Sequence, residues 1–156
     1  MSDGKDRVEG QFFNTVDWRV AWGHCDPAGI VFNPRFMEVF DDCTARLLEA
    51  AAGMNKRDFL AAYQAAGIPL VETTARFLRP VTYGDSCAIT SHAAWLTRSS
   101  FGVRHVLRLH GEVAVEGEEV RVWTARDAEG RMRSAPLPEP LRAALLARPA
   151  VCHPPD

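Results

Sequence analysis

Phe36, Phe40, Cys43, Leu47 and Ala51 recur at intervals of four and three, a spacing that gathers an apolar stripe onto one face only if the segment is a helix. Arg35, Glu38, Asp42 and Glu49 fall off that stripe, so the other face is expected to meet water. Asn33 reads as the N-cap, Pro34 as the first helical residue and Gly53 as the stop. A shorter helical pattern follows from Asn55, its candidate cap, to Ala66, with Asp58 in the first turn and Gly67 as terminator. Beyond it the period changes to two, through Val71, Thr73, Ala75 and Phe77, then Cys87, Ile89, Ala93 and Trp95, then Phe101, Val103, Leu107 and Leu109, then Val120, Val122 and Thr124. Thr15 to Trp22, ahead of the long helix, alternates in the same way through Val16, Trp18, Val20 and Trp22. One strand, one long helix, a short helix and four closely spaced strands predict an α+β layer, in which one helix covers one face of a five-stranded antiparallel sheet.

Turn signals separate the strands at Pro80–Asp85 and at Arg98–Ser100, and a third break falls either at His110–Glu112 or at Glu116–Glu119. The last strand ends at Asp127-Ala128-Glu129-Gly130. Residues 1–13 read as a disordered polar leader, 14–135 as the folded domain, and 136–156 as a tail with a short helix over Glu139–Ala147. A chain of 156 residues can bury roughly 70% of its unfolded surface as one domain. Eighteen basic against twenty acidic residues, a formal charge of −2, argue against a nucleic-acid partner. The first dozen residues lack an apolar stretch, so no membrane partner is expected. Cys25, Cys43, Cys87 and Cys152 form no Cys-x-x-Cys pair, which suits reduced thiols and a cytoplasmic location.

His24 to Phe36 reads HCDPAGIVFNPRF, and this segment closely resembles the start of the 4-hydroxybenzoyl-CoA thioesterase family of hot-dog proteins. The likeness continues through IPLVETTARFLRPVTYGDSC (68–87), LTRSSFGVRH (96–105) and EVRVWTA (119–125). It implies a hot-dog fold, a five-stranded sheet wrapped around one long central helix. The implied activity is hydrolysis of an acyl-CoA thioester to free acid and coenzyme A, with an aromatic acyl group such as hydroxybenzoyl favoured and short-chain acyl open. It further implies that Asp26 is the catalytic carboxylate, that the backbone N–H of Asn33 holds the oxyanion, and that Arg98, with Ser99, binds the nucleotide phosphates. The resembling family carries a cluster of basic residues in that loop, and only Arg98 remains here. A homo-oligomer, a dimer or a dimer of dimers (homotetramer), is implied as well. No cofactor is expected, since coenzyme A is part of the substrate, and no metal.

The chemistry of the residues agrees. A thioester carbonyl needs a nucleophile or activated water on one side and donors aimed at the developing oxyanion on the other. A turn facing a helix start offers both, because the first N–H groups of a helix are unpaired and carry partial positive charge. Asp before Pro also has a purely local reading as a turn residue. His24 is an auxiliary candidate, able to bond the carboxylate or a water. Cys25 reads as packing rather than as a thiol nucleophile, and a zinc site from His24, Cys25 and His105 has no recognised ligand spacing. Glu38, Asp41 and Asp42 read as a solvated or interface face of the helix, and Arg104 and Arg108 as a supplement to Arg98 or a solvent-facing strand side. Two other functions remain open at this point, a hot-dog acyl-thioester dehydratase or hydratase using His24 as base, and a non-catalytic acyl-CoA-binding module.

Overall fold

The computed structural model describes residues 6–150; residues 1–5 and 151–156, including Cys152, lie outside the described part. Its strands are β1 (Val8–Glu9), β2 (Phe13–Arg19), β3 (Leu70–Phe77), β4 (Ser86–Leu96), β5 (Ser100–Leu109), β6 (Glu112–Val122), β7 (Thr124–Arg126) and β8 (Met132–Ser134). Its helices are α1 (Asn33–Ala52), α2 (Lys56–Ala62) and α3 (Glu139–Leu146), with a single 3-10 turn at Trp22–His24. All strand pairings are antiparallel: β4, β5, β6 and β3 follow one another, β1 and β2 share the other edge of β4, and β7 pairs with β8 apart from the main sheet.

The α1 stripe falls where its period requires. Phe36, Phe40, Cys43, Leu47 and Leu48 are buried against the inward-facing residues of β4 and β5, among them Cys87, Ile89, Ala93, Phe101 and Leu107. Gly117 on β6 faces this helix, and a Cβ there would stand 2.6 Å from the Phe40 ring, so a side chain would force the two layers apart. α3 closes the far end of the core through the fully buried Leu141 and Leu145. One helix wrapped by one antiparallel sheet is the arrangement the sequence predicts, with β1 added to the expected five strands.

Several boundaries differ. The leader expected to be disordered over 1–13 is ordered from β1 onward, because Val8 and Glu9 pair with Leu96 and Trp95 and Arg7 lies on the Trp95 ring. Asn33 is the first helical residue and Phe32 the N-cap, with no side-chain capping bond; the Phe32 N–H is taken by the His24 carbonyl at 2.9 Å, which fixes Phe32 as the extended cap and starts the helix one residue earlier than expected. Asn55 caps α2 as expected, its Oδ1 accepting from the Asp58 N–H at 3.0 Å. That helix nevertheless ends at Ala62, with Gln64 in the left-handed region, and Gly67 instead bridges to Thr124. The β5–β6 turn is at His110–Gly111, both with positive φ, and Glu116–Glu119 lies inside β6.

Candidate active site

The Asp-Pro-Ala-Gly turn is closed by its own backbone. Gly29 N–H donates to the Asp26 carbonyl at 2.9 Å with Gly29 left-handed (φ 79°), and Asp26 N–H donates to the Ile30 carbonyl at 2.9 Å. Cys25 bridges Val31, so residues 24–32 form a small hairpin whose second arm runs into α1. The Val31 N–H bonded to the Val81 carbonyl at 2.8 Å and the Ile30–Thr82 bridge tie this hairpin to the segment ahead of β4. Asp26 Oδ1 accepts the Ala28 N–H at 2.8 Å, while Oδ2 has no partner among the described residues. The carboxylate is half-buried, held by one oxygen and offering the other.

Where the hairpin ends, α1 begins. The Asn33 N–H finds no acceptor among the described residues, and Pro34 has none to give. The helix start therefore presents one unpaired donor and the positive end of the helix dipole beside the turn that carries Asp26. His24 is fixed on the same hairpin: its Nδ1 accepts the Ala21 N–H at 2.9 Å and its ring lies 5.2 Å from Trp18, which leaves only Nε2 for other work. Trp22, expected on the buried face of the first strand, is instead 66% exposed and meets Tyr83 edge-on at 5.4 Å. With Phe32, 52% exposed, these rings surround the turn with apolar surface. A groove of about 200 Å³, lined by Ile30, Phe36, Phe77, Leu78 and Val81, opens at Asn33.

Arg98 and Ser99 lie elsewhere, in the β4–β5 turn, and one chain does not bring them to Asp26. β2 leaves the start of β4 just before the Asp26 hairpin, whereas Arg98 stands past the other end of that strand, roughly 33 Å away along its length. Arg98 is exposed; Ser99 is half-buried, and its carbonyl accepts the Trp123 N–H at 2.8 Å. The Thr97 hydroxyl is spent inside the turn on Ser100. Arg104 is paired with Glu116 at 3.3 Å, so it does not supplement Arg98.

His105 does not approach His24 or Cys25. It is completely buried under Phe40, ring on ring at 4.7 Å, and no three His, Cys, Asp or Glu among the described residues are placed to hold a metal. Ser91 Oγ lies 2.6 Å from its Nδ1 and Thr44 Oγ1 3.2 Å from its Nε2. Thr44 donates to Glu119 at 2.6 Å, and Arg121 joins Glu119 at 3.0 Å to Asp41 of α1 at 2.5 Å. Burial alone would push the Glu119 carboxyl up, but His105, Arg121 and Thr44 outweigh it and hold it down at about 2. The sequence reading missed this network, since Glu119 looked like part of a turn; its one signal was Arg121 two residues on, on the same strand face. Of the acids on α1, Glu38 and Asp42 pair with Arg35 and Arg46 as a solvated face would. Burial raises the Cys43 and Cys87 thiols to about 12 and about 11, as inert packing requires.

A model of the thioesterase-like superfamily matches residues 20–145. The chain belongs to that superfamily. The 4-hydroxybenzoyl-CoA thioesterase of Pseudomonas sp. strain CBS-3 is 28% identical over 129 residues, 80% of this chain and 91% of that protein. Its solved structure matches with a TM-score of 0.76 at 24% identity, over 85% of this chain and 98% of that one, which establishes the hot-dog fold. A gentisyl-coenzyme A thioesterase structure matches at 28% identity and TM-score 0.71, over 85% and 98% of the two chains. A Thermus thermophilus thioesterase solved with coenzyme A and Zn matches at 27% identity and TM-score 0.68, over 84% and 90%.

Proposed function

We propose that this chain hydrolyses acyl-CoA thioesters, with Asp26 as the reacting carboxylate and the Asn33 backbone N–H as the oxyanion donor. The observation that carries this reading is their juxtaposition: a carboxylate with one free oxygen on a hairpin that runs directly into an unpaired helix-start N–H. A thioester carbonyl set between them has its oxygen at the donor and its carbon facing the carboxylate. As nucleophile, Asp26 forms a mixed anhydride and expels the coenzyme A thiolate, and water opens the anhydride. As general base, it takes a proton from the water that attacks. One oxyanion donor in such a site is worth about 3 kcal/mol of transition-state stabilisation. The reaction needs neither metal nor cofactor, because the carboxylate and the helix start supply both halves of the chemistry.

An aromatic acyl group, such as a hydroxybenzoyl, suits the site. The rings of Trp22, Phe32 and Tyr83 around the turn and of Phe36 and Phe77 in the groove offer flat apolar surface, and two of the relatives named above are thioesterases of aromatic acyl-CoAs, 4-hydroxybenzoyl-CoA and gentisyl-CoA. A groove of about 200 Å³ falls below the roughly 300 Å³ at which ligand sites begin, so one chain supplies only part of the wall. Exposed Leu70, Val71 and Phe77 on β3, at an open sheet edge, supply a surface for a second copy. This supports a homo-oligomer, a dimer or a dimer of dimers, in which Arg98 of one subunit serves Asp26 of another. Light scattering behind size-exclusion chromatography checks this, and a monomer at micromolar concentration would contradict it. No helix among the described residues is long and apolar enough to cross a membrane. The free thiols of Cys25, Cys43 and Cys87 support a cytoplasmic setting.

Thiol release from a panel of aromatic and short-chain acyl-CoAs, read with Ellman's reagent, tests the proposal. Release from at least one of them is expected. Binding without release would favour an acyl-CoA-binding module, and hydration of an enoyl-CoA without release a hydratase, for which His24 Nε2 is the remaining base.

A further inference from the structure

His24 and Asp26 flank Cys25 on the first arm of the hairpin. Cys25 is extended (φ −99°, ψ 153°) and pairs with the buried Val31. Side chains alternate along an extended arm, so His24 and Asp26 project together from the face opposite to Cys25, about 6.6 Å apart along the chain. The second arm sets Phe32 across from His24 and Ile30 across from Asp26: the Phe32 N–H donates to the His24 carbonyl and the Asp26 N–H to the Ile30 carbonyl, both at 2.9 Å. This face therefore carries one imidazole and one carboxylate beside two exposed apolar side chains.

The backbone decides which ring nitrogen of His24 holds the proton. Nδ1 accepts the Ala21 N–H at 2.9 Å, and a nitrogen that accepts cannot also carry a hydrogen. Turning the ring over would set a C–H against that N–H and leave it unpaired. The neutral imidazole consequently bears its proton on Nε2, which makes the free nitrogen a donor rather than a base. Asp26 is its complement. Its Oδ1 takes the Ala28 N–H, and Oδ2, without a partner among the described residues, can only accept. A donor and an acceptor on one face suit a molecule that accepts from the first and donates to the second. Water does so through bonds of about 2.8 Å to each, and it keeps a lone pair free to attack.

We propose that His24 and Asp26 together hold the attacking water, so that the thioester is opened by base catalysis rather than by direct attack of Asp26. This rests on the reading of the chain as an acyl-CoA hydrolase. The water oxygen bonds to the thioester carbon while one of its protons passes to Asp26 Oδ2. The tetrahedral intermediate then breaks its C–S bond, and the departing coenzyme A thiolate takes that proton. His24 keeps its own proton throughout. A hydratase would need Nε2 bare, hence the opposite tautomer and the loss of the Ala21 bond.

Single-turnover hydrolysis by the wild type in ¹⁸O-water tests the route without any variant. The acid formed in the first turnover carries solvent oxygen. Thiol release with unlabelled acid overturns the held water and leaves the hydrolase reading standing, whereas no thiol release from any acyl-CoA overturns the hydrolase reading itself. Magnetic resonance of ¹⁵N-labelled histidine reads the tautomer: the neutral His24 ring is protonated at Nε2, and protonation at Nδ1 overturns the proposal. His24→Asn keeps an oxygen near the place of Nδ1 for the Ala21 N–H and removes the donor. Its kcat falls about tenfold while KM stays within about twofold and the melting temperature is kept. His24→Gln, whose amide nitrogen reaches the place of Nε2, recovers most of that loss. An unchanged kcat in His24→Asn, or an equal fall in both variants, overturns the role of His24.

Discussion

Asp26 and Glu119 are both carboxylates with a histidine close by, and they stand in opposite surroundings. Glu119 is buried beneath the middle of α1, where Thr44, Arg121 and His105 all converge on its Oε2. Asp26 is half-exposed, uses one oxygen on its own turn, and sits where α1 begins with an unpaired donor. The first arrangement is closed off from solvent beneath the helix and has no room for a substrate. The second keeps a carboxylate oxygen and a helix-start donor at the accessible surface. Residue types alone would rank the Ser91–His105–Glu119 group as the stronger candidate for catalysis; access reverses the ranking.

The comparison is broken most directly at Asp26. Asp26→Asn keeps an oxygen for the Ala28 N–H and removes the charge, so the fold and substrate binding are retained while kcat falls at least about 10²-fold. An unchanged kcat in the folded variant returns Asp26 to a turn-only role. Single-turnover hydrolysis in ¹⁸O-water then separates direct attack, which first transfers an unlabelled carboxylate oxygen, from base catalysis, which delivers solvent oxygen at once. Next in size is the helix start. Asn33→Pro deletes the N–H at a first-turn position that accepts proline, and is expected to lower kcat about 10²-fold with little change in melting temperature.

Glu119→Ala should do the converse. Removing one partner of a buried ion pair costs about 3 to 5 kcal/mol, read as a lower urea midpoint, while kcat per folded molecule stays close to wild type. The same residue sets an acid limit. Its folded value, about 2, lies below an ordinary glutamate value near 4.3, so its contribution is complete above roughly pH 4.3 and lost as pH falls toward 2. Urea midpoints across that window should fall more steeply for the wild type than for Glu119→Gln. Asn33→Ala is the smallest effect: it keeps the backbone N–H, and kcat should move by no more than about twofold.

What the sequence made legible was local. The α1 stripe, the Asp-Pro-Ala-Gly turn and the period-two runs each depend on residues within a few positions of one another, and each has a counterpart in the fold, the first run ending three residues early. Trp22 was misread because alternation continues in sequence after the chain has left the sheet at Arg19 and turned into a 3-10 segment. Glu119 was misread because a run of glutamates signals a turn unless the buried arginine, threonine and histidine that neutralise it are known, and two of those come from other elements. The pairing of α3 with the β4–β5 turn was illegible for the same reason, since nothing around Arg142 in the sequence points to Thr97.

The sheet order has a consequence in time. β4, β5 and β6 are successive hairpins, but β2 reaches β4 only after α1, α2 and β3 have been passed, and β3 reaches β6 across two intervening strands. Loop-closure entropy favours the short hairpins first, so the meander is expected to assemble early and the β2 edge late. The Asp26 hairpin hangs between that late edge and the segment ahead of β4. In refolding, regain of thioester hydrolysis should therefore trail the recovery of the far-ultraviolet strand signal, with Asp26 among the last groups to find its place.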